Sequence, residues 1–260
     1  MTNKKNDEID LNVEKKLGIM QAYFFPYIGY FQLIDYVDTF IIYEHVSFRK
    51  KSWITRNRIL DKGSNSPVVI NVPIQKQSST KSIKNSLIKT DSDWQNKILN
   101  LVYFNYKKAP YFDDIFLSLK NLITNSSESI HEFNSTVIIE LCKLLGIDTK
   151  IICQNDKYMS MEKKLLLLAE QNKAEVKAQR IFEICKSEGM NSYVNPIGGT
   201  EIYDKEFFLK NDIKLNFLQT NDFNYPQFKG EFQPYLSIID VLMHNGVEET
   251  KKFIKNYKVV

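Results

Sequence analysis

The chain has 260 residues and a formal net charge of +4, long enough for a substantial core and too weakly basic for a nucleic-acid-binding face. No apolar run approaches the roughly 18 to 20 residues that cross a bilayer, and the first residues are polar and charged, unlike a secretory signal, so the expected location is the cytoplasm. Cys142, Cys153 and Cys185 are widely spaced and odd in number, which supports neither a disulfide framework nor a zinc site.

Residues 1–16 are too hydrophilic to pack and are expected as a flexible polar leader, with a single α/β domain over 17–260. Leu17 to Met20 is a short apolar run suited to a buried strand. Pro26 can open a helix in which Ile28, Phe31, Leu33, Ile34 and Val37 follow helical spacing. Asp38 to Tyr43 predicts a second strand, Ser52 to Leu60 a short helix or turn, and Pro67 to Pro73 and Ser82 to Ile88 extended segments. From about 93 to 146 the pattern is helical, with Asp93 as a cap, Ile98, Leu101, Val102 and Tyr106 on one stripe, then Ile115 to Ile123, then Ile130 to Leu145 stopped by Gly146. Beyond it the expected order is a strand at Ile151 to Cys153, a helix at Glu175 to Ser187, a strand at Ser192 to Asn195, a helix at Asp204 to Lys210 and a strand at Lys214 to Leu218. Helices at Leu236 to His244 and Val247 to Tyr257 close the chain. Strands alternating with helices argue for an α/β fold with a mostly parallel, Rossmann-like sheet and a helical insertion in the middle.

Three clusters carry polar groups that a plain core does not need. The first, Gly18 to Phe31, puts Gln21, Tyr23 and Tyr30 around a strand-to-helix turn, where open α/β sheets bind ligands. The second, Tyr43 to Arg58, places Glu44 and His45 at the end of a predicted strand, followed by Lys50, Arg56 and Arg58 interleaved with Trp53 and Asn57. Imidazole titrates near neutrality and suits a general base, while guanidinium forks hold phosphate. Glu44 and His45 share a cleft only if the strand has ended before them, since adjacent strand residues point to opposite faces. The third, Tyr193 to Tyr203, sets Asn195, Glu201 and Tyr203 around the Gly198-Gly199 turn, whose backbone permits close approach of a ligand. His131 and His244 lie inside helical patterns without nearby sequence partners and are expected to be structural. Asp91-Ser-Asp93 spells an acidic triplet, but its place before a helix favours a cap. No nucleophile elbow, Walker loop, dinucleotide glycine fingerprint or His-Glu-x-x-His pair is present, and no metal is expected.

At these clusters the chain resembles the WbqC-like family. Met20-Gln-Ala-Tyr-Phe-Phe-Pro-Tyr-Ile-Gly-Tyr30 is similar to its opening signature, and Ser52-Trp-Ile-Thr-Arg-Asn-Arg-Ile59, Lys108-Ala-Pro-Tyr-Phe112, Asn195-Pro-Ile-Gly-Gly199 and Leu236-Ser-Ile-Ile-Asp240 resemble further blocks, over roughly 17 to 250. Two departures are Ala22 for the usual Pro and Glu44-His45 where an Asp-Asp pair is common. The resemblance implies a transferase of bacterial surface-polysaccharide (O-antigen, lipopolysaccharide) biosynthesis that acylates, glycylation included, the amino group of a nucleotide-linked amino sugar. On that reading Glu44 or His45 is the base, Gln21, Tyr23 and Tyr30 orient the substrates, Lys50, Arg56 and Arg58 bind phosphate, and Asn195, Gly198, Gly199 and Glu201 complete the pocket. The implied partners are the nucleotide-linked amino sugar and an activated acyl or aminoacyl donor, with ATP dependence left open and no tightly bound cofactor. A sugar-nucleotide-dependent glycosyltransferase and a noncatalytic sugar-nucleotide-binding component are the alternatives.

Overall fold

The computed structural model describes residues 13–78, 80–153, 156–168 and 173–260. Of the leader expected over 1–16, residues 1–12 lie outside the described residues. In chain order the elements are β1 (Lys16–Met20), α1 (Ile28–Tyr36), β2 (Thr39–Ile42), β3 (Arg56–Asp61), β4 (Ser66–Asn71), α2 (Trp94–Tyr106), α3 (Phe112–Ile123), α4 (Ile130–Leu144) and β5 (Lys150–Ile152). There follow α5 (Lys157–Leu168), α6 (Lys173–Glu188), β6 (Ser192–Pro196), a 3₁₀ turn (Ile197–Glu201), α7 (Lys205–Leu209), β7 (Lys214–Thr220), α8 (Ile238–Ile254) and β8 (Tyr257–Val259). Among the described residues no helix is long and apolar enough to cross a membrane.

The fold is mixed α/β, with eight helices among the described residues and a six-stranded sheet in the order β5-β2-β1-β6-β7-β8. Neighbours pair in parallel except β8, which returns antiparallel to β7. β3 and β4 form a separate antiparallel hairpin. From β1 the chain builds outward through β2 and β5, then turns to the other side of β1 and builds through β6, β7 and β8. The carboxyl ends of β1 and β6 flank this reversal, the place where a crevice opens in such sheets. Side chains alternate across the strands, so Leu17, Ile19, Ile41, Tyr193 and Leu215 join one apolar layer with Ile184 of α6 and Phe208 of α7. Phe40, Ile42, Val194 and Leu218 join the opposite layer with α1, α8 and the three consecutive helices α2, α3 and α4. β2 is buried at all four positions, as a strand covered on both faces must be.

Several expectations need correction. The short helix or turn expected at Ser52 to Leu60 is a turn followed by β3, whose alternating burial is masked by its two arginines. Ser82 to Ile88 makes only isolated bridges, to Ser47, Ile74 and Ser129. The helix α5 has no counterpart in the expected order. The two closing helices are present as expected and meet at a kink at Gly246 within the span numbered α8, where φ is 67° and an added Cβ would lie 2.6 Å from the Tyr111 ring. The expected end of that second helix, Tyr257, instead opens the edge strand β8, held by pairing with Leu218 to Thr220. Asp93 is the N-cap residue of α2, but its carboxylate accepts from the Asn96 side chain rather than from backbone N–H.

α8 is anchored by a carboxylate with no solvent exposure. Tyr106 Oη donates to Asp240 Oδ1 at 2.6 Å, and Tyr225 Oη and Gln227 Nε2 donate to Oδ2 at 2.7 and 2.9 Å. Leu60 N donates to Tyr106 Oη at 2.8 Å, so β3, α2 and α8 meet at one charge. Burial, and after it the Asp240 charge, push both phenols up, which keeps them protonated donors. One turn along α8, His244 packs its ring 4.7 Å from that of Phe228. Desolvation lowers its pKa, with the Asp240 charge opposing. The unfolded imidazole therefore takes up a proton at higher pH than the folded one, so this stability is present above the ordinary histidine pKa of about 6.5 and is lost as pH falls below it. Urea unfolding free energy is expected to fall between pH 7 and pH 5, and to fall less in His244→Phe. Equal slopes in the two proteins would remove His244 from the acid sensitivity.

Candidate active site

The turn between β1 and α1 is held by side chains from three distant segments. Asn57 Nδ2 donates to Phe24 O at 3.0 Å and to Phe25 O at 2.7 Å, and Ser237 Oγ donates to Phe25 O at 2.7 Å. Asn134 Nδ2, from α4, donates to Ala22 O at 2.9 Å and to Ile54 O at 2.8 Å. Phe24 N donates to Trp53 O, and Tyr30 Oη to Gln21 O, both at 2.8 Å. These bonds over-determine a strained backbone, since Phe25 has φ 40° and fully buried side chains occupy positions 24 and 25. Phe24 and Phe25 are thus core, while Tyr23, Tyr27 and the buried Tyr30 line a cavity of about 320 Å³.

That cavity lies at the carboxyl ends of β1 and β6, with Met20 and Pro196 on its wall and Trp53, Arg58 and Tyr235 on the side facing β3. Strand alternation puts Arg56 and Arg58 on one face of β3, both over the Trp53 ring at 5.7 and 5.5 Å, and sends Asn57 into the core. Trp53 remains 40% exposed. Gly29 is required by Tyr27, whose ring lies across the first turn of α1, since an added Cβ would sit 2.3 Å from the Tyr27 hydroxyl. A smaller cavity of about 60 Å³, lined by Thr220, Phe223 and Tyr225, shares Tyr27 and Tyr235 with the larger one.

β2 ends at Ile42, so strand alternation does not hold Glu44 and His45 to opposite faces, and both side chains are buried. The Glu44 carboxylate is buried, with His131 Nε2 3.0 Å from Oε2, and with His45 Nε2 at 3.6 Å and Lys84 Nζ at 3.5 Å from Oε1. Lys84 also bonds Asp156, and this bond, with the Glu44 charge behind it, holds the ammonium above the usual lysine range. Cys153, just past β5, is pushed up by burial and then by the Glu44 charge. The segment is pinned by Lys84 N to Glu44 O and Ile83 N to Val46 O. Glu44, His45 and Asp156 each present a ligand atom within 4.8 Å of the others, a spacing that suits a metal ion, and the Lys84 ammonium already contacts both carboxylates.

The structure brings Tyr23, Tyr30, Trp53, Asn57 and Arg58 together around the cavity, while Glu44 and His45 pair with each other past the end of the neighbouring strand β2, outside the cavity lining. Gln21 is partly exposed at the mouth of the turn, and Lys50 is exposed. The third cluster mostly faces away. Asn195 Nδ2 donates to Tyr193 Oη at 2.5 Å, and Asn195 Oδ1 lies 2.1 Å from where a Gly199 Cβ would be, so the glycine is demanded by that side chain. Tyr203 stacks edge-on against Tyr193 in the opposite apolar layer, and Gly198 and Glu201 are exposed. Sequence reasoning missed His131, Asn134, Lys84, Tyr27, Tyr235 and Ser237. The signal for two of them was the spacing His131-x-x-Asn134, which puts both on one face of α4.

The profile of the WbqC-like protein family matches residues 21–252. The chain belongs to this family. Glu44, His131 and every cavity residue except Met20 fall inside the matched span of the WbqC-like sequence. An uncharacterized protein of Mycobacterium tuberculosis, Rv1507c, is 29% identical over 237 residues, which cover 90% of this chain and 95% of its own. No solved structure gives a significant match.

If the clamp sets the turn, Asn57→Ala should lower unfolding free energy by about 2 kcal/mol and Ser237→Ala by about 1 kcal/mol. Both act on the Phe25 carbonyl, so the double variant should depart from additivity by at least about 0.5 kcal/mol in urea unfolding. Strict additivity would mean that the two bonds act independently.

Proposed function

We propose that this WbqC-like chain is a cytoplasmic transferase that acylates, glycylation included, the amino group of a nucleotide-linked amino sugar in bacterial surface-polysaccharide biosynthesis. The observation that carries this reading is an aromatic cavity rimmed by arginine at the carboxyl ends of β1 and β6, with a buried imidazole–carboxylate group following the neighbouring strand β2. The strand order supports it, because the order of the parallel strands reverses between β1 and β6, the place where open α/β sheets bind ligands. Aromatic faces accept the apolar face of a sugar ring or a base, and Arg56 and Arg58, stacked on Trp53, suit a diphosphate. A sugar ammonium must lose a proton before it attacks an acyl carbon, the work of a base held near neutrality. The activated acyl donor enters as a second substrate, with no tightly bound cofactor.

The test is incubation of purified protein with nucleotide-linked amino sugars and acyl donors (glycine with ATP, aminoacyl-tRNA, coenzyme A and carrier-protein thioesters), read by mass spectrometry. A new amide is expected. A new glycosidic bond, or binding without product, would overturn the reading. In calorimetry, Arg58→Lys should weaken sugar-nucleotide binding roughly tenfold, because one charge-assisted bidentate contact is lost while the charge is kept. Arg56→Lys should act in the same direction, and unchanged affinity in both would return the pair to a solvated surface.

A further inference from the structure

The transfer reading leaves open which end of a nucleotide-linked amino sugar enters the cavity. We propose that the cavity takes the nucleoside end, with the first phosphate on Arg58 and the second on Arg56, so that the amino sugar lies outside, beyond Arg56. This inference rests on the transfer reading for the class of ligand and on the cavity wall for its direction.

The wall suits a flat aromatic ring and does not suit a sugar. A volume of about 320 Å³ lies at the lower end of the roughly 300 to 1,000 Å³ of small-molecule pockets, room for one end of such a ligand. Tyr23, Tyr27 and Tyr235 supply ring faces, and every nucleobase has a face that stacks on an aromatic side chain. A sugar ring instead brings several hydroxyls, each of which needs a partner once it is taken from water. Among the described residues the lining has no carboxylate, and its one carboxamide is occupied: Asn57 Nδ2 holds the carbonyls of Phe24 and Phe25, and Asn57 Oδ1 accepts from Arg58 N at 2.8 Å. Tyr30 Oη is occupied by Gln21 O. The ammonium of an amino sugar would meet Arg58 as the only charged group on that wall.

Arg58 is where the anion belongs. Its Nε is buried without a hydrogen-bond partner among the described residues, and its Nη2 donates to Tyr235 O at 3.3 Å. A buried donor on a charged group is expensive to leave unpaired, and a phosphate oxygen supplies the missing acceptor. Arg56 and Arg58 both stand over Trp53 on one face of β3, yet only Arg58 lines the cavity. Two residues along a strand span about 7 Å, so the pair forms a track that leads from the cavity outward. Tyr235 stands at the entrance. Its ring is 69% exposed and meets Tyr27 edge-on at 6.5 Å, and its backbone is held at φ 57°, a conformation that a tyrosine seldom adopts. The bonds around it come from the same arginine, through Arg58 Nη2 to Tyr235 O and Ser237 N to Arg58 O. Backbone strain of this kind clusters at ligand clamps, and here it sets the ring that covers the base.

Calorimetry with the separated halves of the ligand tests the direction. From UDP, CDP, dTDP, GDP and ADP, the tightest should bind at least about a hundredfold more tightly than glucosamine 1-phosphate, a preference of two bonded or stacked groups. Arg58→Lys should weaken that diphosphate and the matching nucleoside monophosphate alike, by about tenfold. Arg56→Lys should weaken the diphosphate by a similar factor and the monophosphate by less than about twofold. Tyr235→Ala, at an exposed position, should weaken both nucleotides by about tenfold, with all variants matching wild type by circular dichroism. Glucosamine 1-phosphate binding as tightly as the best diphosphate would overturn the direction, as would a panel in which no nucleotide binds. Equal loss of monophosphate affinity in Arg56→Lys and Arg58→Lys, or wild-type affinity in Tyr235→Ala, would overturn it as well. The expected binding pattern without amide product would sink the transfer reading alone.

Discussion

The carbonyls of Phe24 and Phe25 converge on one amide nitrogen of Asn57, and the rest of the site depends on that convergence. Phe25 adopts a backbone conformation that costs on the order of 1 to 3 kcal/mol and persists only where its surroundings leave no alternative. The Asn57 amide, the Ser237 hydroxyl and the Pro26 carbonyl bonded to Ile238 N remove the alternatives. With the turn fixed, two phenyl rings go into the core and three tyrosines line the cavity, Tyr30 from a buried position. The same bonds aim the start of α1 and bring the start of α8 against it.

A second constraint is the handling of buried charge. Asp240 and Glu44 are both carboxylates removed from water, and the protein treats them differently. Asp240 receives three neutral donors and behaves as a strut among β3, α2 and α8. Glu44 instead faces two imidazoles and an ammonium, groups that can change protonation or move. A fully satisfied network rigidifies, whereas one built from titratable partners can pass a proton.

Much of the scaffold was legible because burial writes a simple pattern. β1, β2, β6 and β7 appear as short apolar runs, and α2, α3 and α4 as apolar stripes, since each is covered by the core on at least one face. β3 was not legible, because Arg56 and Arg58 on its outer face resemble a charged surface run, and only their contact with Trp53 explains them. β8 was hidden because an edge strand takes its conformation from its neighbour rather than from its own residues. At the site, the aromatic signature, Glu44 and His45 announced themselves as polar groups crowded near strand ends. His131 did not, because its partner lies far away in the chain and an isolated histidine on an apolar helix face carries no local mark. The glycines at 198 and 199 suggested a ligand cradle, yet Gly199 is demanded by the Asn195 side chain.

The distance along the chain between the two ends of the Phe25 clamp also bears on how the protein is made. The Ser237 hydroxyl that holds the Phe25 carbonyl lies 212 residues downstream, and the Gln32 amide likewise waits for the carbonyls of Phe253 and Asn256. During synthesis β1 and α1 emerge early and meet Asn57 soon after, but the Ser237 half of the clamp can form only once residue 237 has been made. Contacts of such long sequence separation form late and slowly. Until then the aromatic stretch at residues 23–31, part of which lines the cavity, lacks its last holding bonds and is the segment on which chaperone capture of nascent chains is expected to fall.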